Sequence, residues 1–423
     1  MSRAIYWFRN DLRIDDNEGL SRAIEAHDSI YPVYVLDECL LHEPFMGVNR
    51  LGVHRLRFVL ESLNDLKSSL QALGSDLFFF VGDPTKVLKK YYQDWGCSAL
   101  YAQQGIAFEE TQLEQKLSEQ LNTHWHWGST LYHLDDLPMP IQELPKIYTE
   151  FRKAAEKKAQ VRELVGAPLT INTKKHIETK IPTLEVLGFE TPEIDDRAVE
   201  RFRGGETAGR ERLQYYLWDK ELLAQYKNTR NGLIGGDYSS KFSPWLSQGC
   251  LSPRTIYYEV KRFEKYIKKN SSTYWLVFEL IWRDYFQFVA KQIGAKLFQK
   301  KGMADQAPVV FARHRSFSAW CEGLTAEPFV NANMNELNHT GFMSNRGRQI
   351  VASYLIHNLG VDWRKGAAYF EKMLVDYDPG SNYGNWAYIA GVGNDPRGGR
   401  KFNLQRQKET YDPKGEYQAL WSH

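Results

Sequence analysis

Five short runs rich in aromatic and β-branched residues constrain the first third of this chain: "AIYWFR" (4–9), "SIYPVYVL" (29–36), "DLFFFVG" (76–82), "SALYAQ" (98–103) and "HWHWGSTLYH" (124–133). Each reads as a strand. The stretches between them are amphipathic; 50–73 carries Leu56, Val59, Leu60, Leu63 and Leu66 at helical spacing. Strand and helix in alternation predict a doubly wound parallel sheet of five strands within residues 1–133, an α/β unit. GxGxxG and the GKS/T of a P-loop are both missing, so this sheet carries no standard dinucleotide or triphosphate grip.

From 134 to 204 the pattern loosens into an inter-domain connection: "LDDLPMPIQELP", a charged helix "EFRKAAEKKAQVREL" (150–164), then a Thr-, Lys- and Pro-rich run. Beyond 205 the periodicity is helical, clearest in "ERLQYYLWDKELLAQY" (211–226), "SSTYWLVFELIWRDYFQFVAKQI" (271–293) and "NRGRQIVASYLIHNLG" (345–360). A length of 423 residues exceeds one ordinary core. An α/β domain followed by a larger all-α domain over 205–423 is the expected architecture.

No run of about twenty apolar residues occurs, and "MSRAIYWF" enters a strand pattern at once, so a cytoplasmic protein without a leader is expected. Cys39, Cys97, Cys250 and Cys321 stand singly, with no spacing for a metal or cluster. The formal net charge of +2 neither suggests nor excludes a nucleic-acid partner, because a local basic patch suffices. Aromatic residues make up 14% of the chain, which suits aromatic-lined pockets as well as generous cores.

The loop "VDYDPGSNYGNW" (375–386) opens like a calcium-binding EF-hand, but Gly380 stands at the third ligand position, Ser381 at the glycine position and Ala387 at the twelfth. No metal is expected. A helix-capping turn is the plainer reading of Asp, Pro, Gly, Ser and Asn together.

Three long stretches say more: "YKNTRNGLIGGDYSSKFSPWLSQGCLSPR" (226–254), "FELIWRDYFQF" (278–288) and "TGFMSNRGRQIVASYLIHNLGVDWRKGAAYFEKMLVDYDPGSNYGNW" (340–386). With "WFRNDLRIDDN" (7–17), "TEFRK", "GVGNDPR" and "YDPKGEY", they resemble the photolyase/cryptochrome flavoproteins, and most closely the cryptochrome-DASH branch. The resemblance covers nearly the whole chain. It implies an N-terminal α/β domain of the photolyase type and a C-terminal helical domain that encloses FAD in a U shape.

By that resemblance Tyr226, Ser239, Ser240, Lys241, Phe242 and Ser243 hold the FAD diphosphate side, and Pro244 marks a helix start. Arg283, Asn345 and the pair Arg348 and Asp376 belong to the flavin site, Asp378 accepts from flavin N3–H, and Asn382 faces N5. Glu279, Trp282, Asn345 and Arg346 are implied on the substrate side, where Glu279 would bond a damaged thymine pair and Trp282 would pack against it. Trp386 and Trp363 are implied as an electron relay. The reaction implied is light-driven splitting of cyclobutane pyrimidine dimers in UV-damaged DNA by a monomeric enzyme. Tyr388 stands where double-strand-acting members carry tryptophan, which favours single strands. Arg397, Arg400, Lys401 and Arg406 supply a basic stretch for phosphates.

Two departures matter. "QQG" (103–105) replaces the "HKE" typical near the folate antenna, so methenyltetrahydrofolate is expected to be weakly held or absent. Ten residues before Trp320, where the outer tryptophan of the relay is expected, stands Val310; Asn331 also replaces a usual aspartate, with no consequence. The competing reading is a FAD-binding blue-light receptor with little repair. A (6-4) photoproduct enzyme is disfavoured because "FMSNR" lacks the histidine such members use.

Overall fold

The structure, a computed structural model, describes residues 2–174, 177–313, 315–394 and 398–422. All five strands form: β1 (Arg3–Phe8), β2 (Ser29–Asp37), β3 (Phe78–Gly82), β4 (Ala99–Gln103) and β5 (Thr123–His126). They pair in parallel in the order β3-β2-β1-β4-β5. β5 ends at His126, short of the expected His133, because the following loop is taken by the helical part: Asp284 accepts from Leu131 N and Tyr132 N, both at 2.9 Å.

The strand alternation gives the sheet two different faces. Ile5 and Trp7 pack with Leu88 and Leu117 of the helices Pro84–Asp94 and Phe108–Ser118. Ala4, Tyr6 and Phe8 face the other way, into a core that continues through the helix Val53–Ala72 into the helical part. The connection is therefore not a free tether. Its helix spans Tyr148–Lys158, shorter than expected, and the chain then runs beside the sheet: Val165 O accepts from Asp16 N at 2.8 Å, Asn172 O from Ile30 N at 2.9 Å and Thr179 Oγ1 from Phe79 N at 2.8 Å.

In the helical part, Ser271–Ile293 forms as the pattern predicts, opened by Asn270, whose side chain accepts from Ser272 N and Thr273 N, and closed by Gly294 at φ +54°. Asn345–His357 is the second expected helix. The third is broken: Glu206–Gln214 gives way to a wide turn at Tyr215–Asp219 and a left-handed Glu221 before the short helix Tyr226–Thr229. Widening lets consecutive Tyr216 and Leu217 both be fully buried, a tertiary demand that outweighs the helical pattern. Among the described residues, no helix is long and apolar enough to cross a membrane.

Candidate flavin and nucleic-acid site

The helices Ser271–Ile293, Asn345–His357 and Pro379–Ala390, with the loop ahead of Ser243–Ser247, enclose a cavity of about 500 Å³. A side cavity of about 110 Å³ shares Asn345, Arg348, Asp376 and Asp378 with it and adds Asn382 and Trp386.

One end is built from the 236–243 loop. Arg212 donates to the carbonyls of Gly236 (2.8 Å), Ser239 (3.2 Å) and Ser240 (3.1 Å), and Ser239, Ser240, Lys241, Phe242 and Ser243 line the cavity with Tyr226. Lys241 is the unusual member. It adopts φ +60°, is 3% exposed, and its Nζ has no hydrogen-bond partner among the described residues, lying 3.0 Å from the centroid of the Tyr238 ring. Burial pushes this ammonium well below the ordinary lysine range, with Glu336 pulling the other way. Glu336, itself buried and bonded by Tyr417 OH at 2.6 Å, is raised by burial to about 7. A buried cation without a partner is costly, and an anionic ligand removes that cost.

The other end holds the carboxylates of the 375–386 loop. Arg348 Nη2 lies 2.9 Å from Asp376 Oδ2, while Asp376 Oδ1 is buried with no hydrogen-bond partner among the described residues. Asp378 caps the Pro379–Ala390 helix by accepting from Ser381 N at 2.6 Å, as the capping reading of this loop expects, and it also lines the cavity. Its second oxygen accepts from Gln287 Nε2 at 3.3 Å. Asn382 spends Nδ2 on Ala367 O at 2.9 Å, which leaves its carbonyl oxygen as the available group. The Arg283 guanidinium is committed to the carbonyls of Ser129 and Leu246 and borders the cavity as structure.

Glu279 and Trp282 line the same cavity from the Ser271–Ile293 helix. Glu279 pairs with Arg230 at 2.9 Å and accepts from Trp275 Nε1 at 3.1 Å. Burial raises its carboxyl, and Arg230 draws it back. Sequence reasoning passed over both partners; Trp275 and Glu279 stand four apart on one helix face, which was the available signal. Arg212 and Gln287 gave no such signal.

Arg346 does not join the lining: it donates to Gln349 Oε1 at 3.0 Å and lies over the Tyr411 ring at 4.7 Å. Tyr388 lines the cavity, with the Arg400 guanidinium over its ring at 5.1 Å. Lys401 and Arg406 are exposed; Arg397 lies outside the described residues.

Trp386 is 2% exposed, and its ring neighbours among the described residues are Phe370 (5.1 Å) and Trp320 (6.1 Å). Trp363, 1% exposed, has Tyr383 at 6.3 Å. The expected relay partners are thus not in ring contact with each other among the described pairs. Val310 is 43% exposed. At Gly105 a Cβ would come within 2.6 Å of Glu110 Cβ, because Glu110 folds back to accept from Ile106 N (3.0 Å) and Ala107 N (2.9 Å).

Comparison with known proteins bears on this geometry. A sequence model described as DNA photolyase matches residues 4–170, and one described as the FAD binding domain of DNA photolyase matches 275–422. The chain is 46% identical to the chloroplastic/mitochondrial cryptochrome DASH of Arabidopsis thaliana, over 99% of this chain and 75% of that protein. It is also 46% identical to the cryptochrome DASH of Natronomonas pharaonis, over 100% and 90%. It belongs to the photolyase/cryptochrome family, in the cryptochrome-DASH branch.

The crystal structure of Synechocystis sp. PCC6803 cryptochrome superposes with a TM-score of 0.95 at 45% identity, covering 100% of this chain and 88% of that one. An archaeal photolyase from Sulfolobus tokodaii, solved with two FAD molecules, gives 0.79 at 27% identity, covering 99% and 90%. FAD is the cofactor of this cryptochrome-DASH fold, and the cavity fits it. Among the described residues, Lys241 Nζ and Asp376 Oδ1 are both buried without a hydrogen-bond partner and both residues line the cavity, a donor suited to a diphosphate and an acceptor suited to a hydrogen-bonding ring edge.

Proposed function

We propose that this protein is a light-driven DNA photolyase that splits cyclobutane pyrimidine dimers, preferring single-stranded or distorted DNA. The observation that carries the reading is that Glu279 and Trp282 border the same cavity as Lys241, Asp376 and Asp378. A residue pair suited to a flipped base and a residue set suited to a flavin share one enclosure, so base and cofactor would meet without an intervening wall. Reduced FAD, excited by blue light, would supply and recover the single electron that opens the cyclobutane ring.

The chain's own residues then bind, orient and stabilise. Ser239, Ser240, Lys241 and Ser243 hold the diphosphate. Arg348, Asp376 and Asp378 fix the ring edge, and Asn382 presents an uncharged acceptor there, which leaves a reduced ring free of an added negative neighbour. Trp282 supplies a stacking face for the extruded pair, and Glu279 a hydrogen-bond partner for it. Tyr388 in place of a larger tryptophan relaxes the grip needed on duplex DNA. Arg400 and Lys401, with Arg397, would meet phosphates. Trp386 and Trp363 would relay electrons to restore the reduced cofactor. The protein acts as a cytoplasmic monomer of an α/β domain (1–133), a linker (134–204) and a helical domain (205–423). Folate is held weakly or not at all, since Glu110 fills the space beside Gly105.

The test is light-dependent loss of cyclobutane dimers from an oligonucleotide by the flavin-loaded protein. A blue-light receptor would bind FAD and leave the dimers intact.

A further inference from the structure

Trp282 borders the cavity beside Phe286, whose ring lies 5.6 Å away at 28° and also borders the cavity, and it carries a second, closer stack from outside the cavity. Tyr148, the first residue of the Tyr148–Lys158 helix, lies against it with ring centroids 3.5 Å apart and planes only 12° from parallel. The Tyr148 hydroxyl donates to Phe278 O at 2.9 Å, a carbonyl one turn before Trp282 on the same helix, so ring and indole are referred to a single rigid element. Tyr285 meets the indole edge-on, at 5.9 Å and 75°. Phe278 and Tyr285 in turn hold the Tyr148 ring edge-on at 5.3 Å and 5.6 Å. Tyr148 is 6% exposed and does not border the cavity, whereas Trp282 does.

One face of the indole is therefore covered by a ring from outside the cavity, contributed by the connection between the two domains. We infer that Tyr148 is a positioning residue for base recognition: it fixes the plane of Trp282 so that the opposite face is already set to stack an extruded pyrimidine pair. This rests on the reading of Trp282 as the stacking surface for the lesion. Stacking depends on how parallel the planes are, and an indole free to rock about its side-chain torsions would lose that freedom on binding. A tyrosine anchored by its hydroxyl removes the rocking beforehand. No bond to substrate or cofactor is assigned to Tyr148, and it has no part in the electron chemistry.

The experiment uses FAD-loaded protein and two single-stranded oligonucleotides, one carrying a cyclobutane thymine dimer and one undamaged. Tyr148→Leu is expected to weaken binding of the dimer strand by about five- to tenfold, the scale of one aromatic pair. Binding of the undamaged strand and the flavin content should stay at the wild-type level. Tyr148→Phe keeps the ring and is expected to retain most of the dimer affinity. Tyr148→Met, which fills the volume without a plane, should behave as Leu does and serves if Leu does not fold. Wild-type dimer affinity in Tyr148→Leu or Tyr148→Met, with Trp282→Leu defective, overturns the positioning role. Wild-type affinity in Trp282→Leu itself overturns the reading of Trp282, and the inference with it.

Discussion

Replacing Glu279 by glutamine takes one negative charge from the cavity mouth while keeping a side chain able to accept from Trp275. In the intact protein Arg230 sits 2.9 Å from this carboxylate, with the two side chains 17% and 28% exposed. Lys227 lies 4.6 Å from the Trp275 ring centroid and Arg230 6.0 Å. This ion pair is largely buried, so its loss leaves Arg230 without a carboxylate partner and should lower stability, while glutamine keeps the acceptor for Trp275; full FAD content is the control that the variant is folded. Two effects on DNA then oppose each other. A dimer strand loses a hydrogen bond to a charged group, about 1.5 to 3 kcal/mol, or roughly 10- to 150-fold in affinity. An undamaged strand gains a freed Arg230 for its phosphates, which should steepen the plot of log affinity against log salt by about 0.7. Between 50 and 200 mM salt that slope amounts to roughly a threefold difference. The assay is fluorescence anisotropy with both strands across a KCl series. Preference for the dimer strand should fall at least about tenfold while undamaged DNA binds no worse at low salt. Equal loss on both strands, or an unchanged salt slope, would refute the assignment of Glu279 and Arg230.

Lys241→Met should lower FAD affinity by roughly 10- to 150-fold, the scale of a charged hydrogen bond, and flavin retention through gel filtration reads it. Glu336→Gln concerns stability against pH. Because burial raises the Glu336 carboxyl to about 7, well above its unfolded value, its stabilising contribution is complete below pH 4 and is lost as pH rises to 7. The variant should therefore melt with wild type at pH 4.5 and above it at pH 8, by at most about 3 to 4 kcal/mol, in differential scanning fluorimetry. Val310→Trp should speed photoreduction of oxidised enzyme under blue light with a thiol present and leave repair by chemically reduced enzyme unchanged. Equal photoreduction rates, with a strong loss in Trp320→Phe, would show an exit through the Trp386–Trp320 contact instead.

Much of this was legible in the sequence because local chemistry and global fold agree. The strand runs of the sheet, the Ser271–Ile293 helix with its asparagine cap, and the Asp-Pro-Gly-Ser start of the Pro379–Ala390 helix follow from periodicity and capping alone. What failed to show were demands made by distant partners. Asp284 claims the backbone after β5 and ends the strand early. Burial of Tyr216 and Leu217 breaks a helix whose periodicity is sound. In the site, Lys241, Asp376, Glu279 and Trp282, each named by motif, line one cavity. Some of their partners are separated by stretches of chain that no periodicity links, as Arg212 is from the 236–240 loop and Tyr148 from Trp282. Arg346, named by motif for the substrate side, lies over the Tyr411 ring, a partner that no periodicity indicates.

The central claim is that flavin and damaged base share one enclosure in which the base is repaired. The measurement is chromatographic quantification of thymine dimers in a single-stranded oligonucleotide after blue-light exposure with protein carrying reduced FAD, against a dark control. Light-dependent loss of dimers, faster on the single strand than on the duplex, is the predicted result. Full FAD occupancy with dimers intact under light would contradict it.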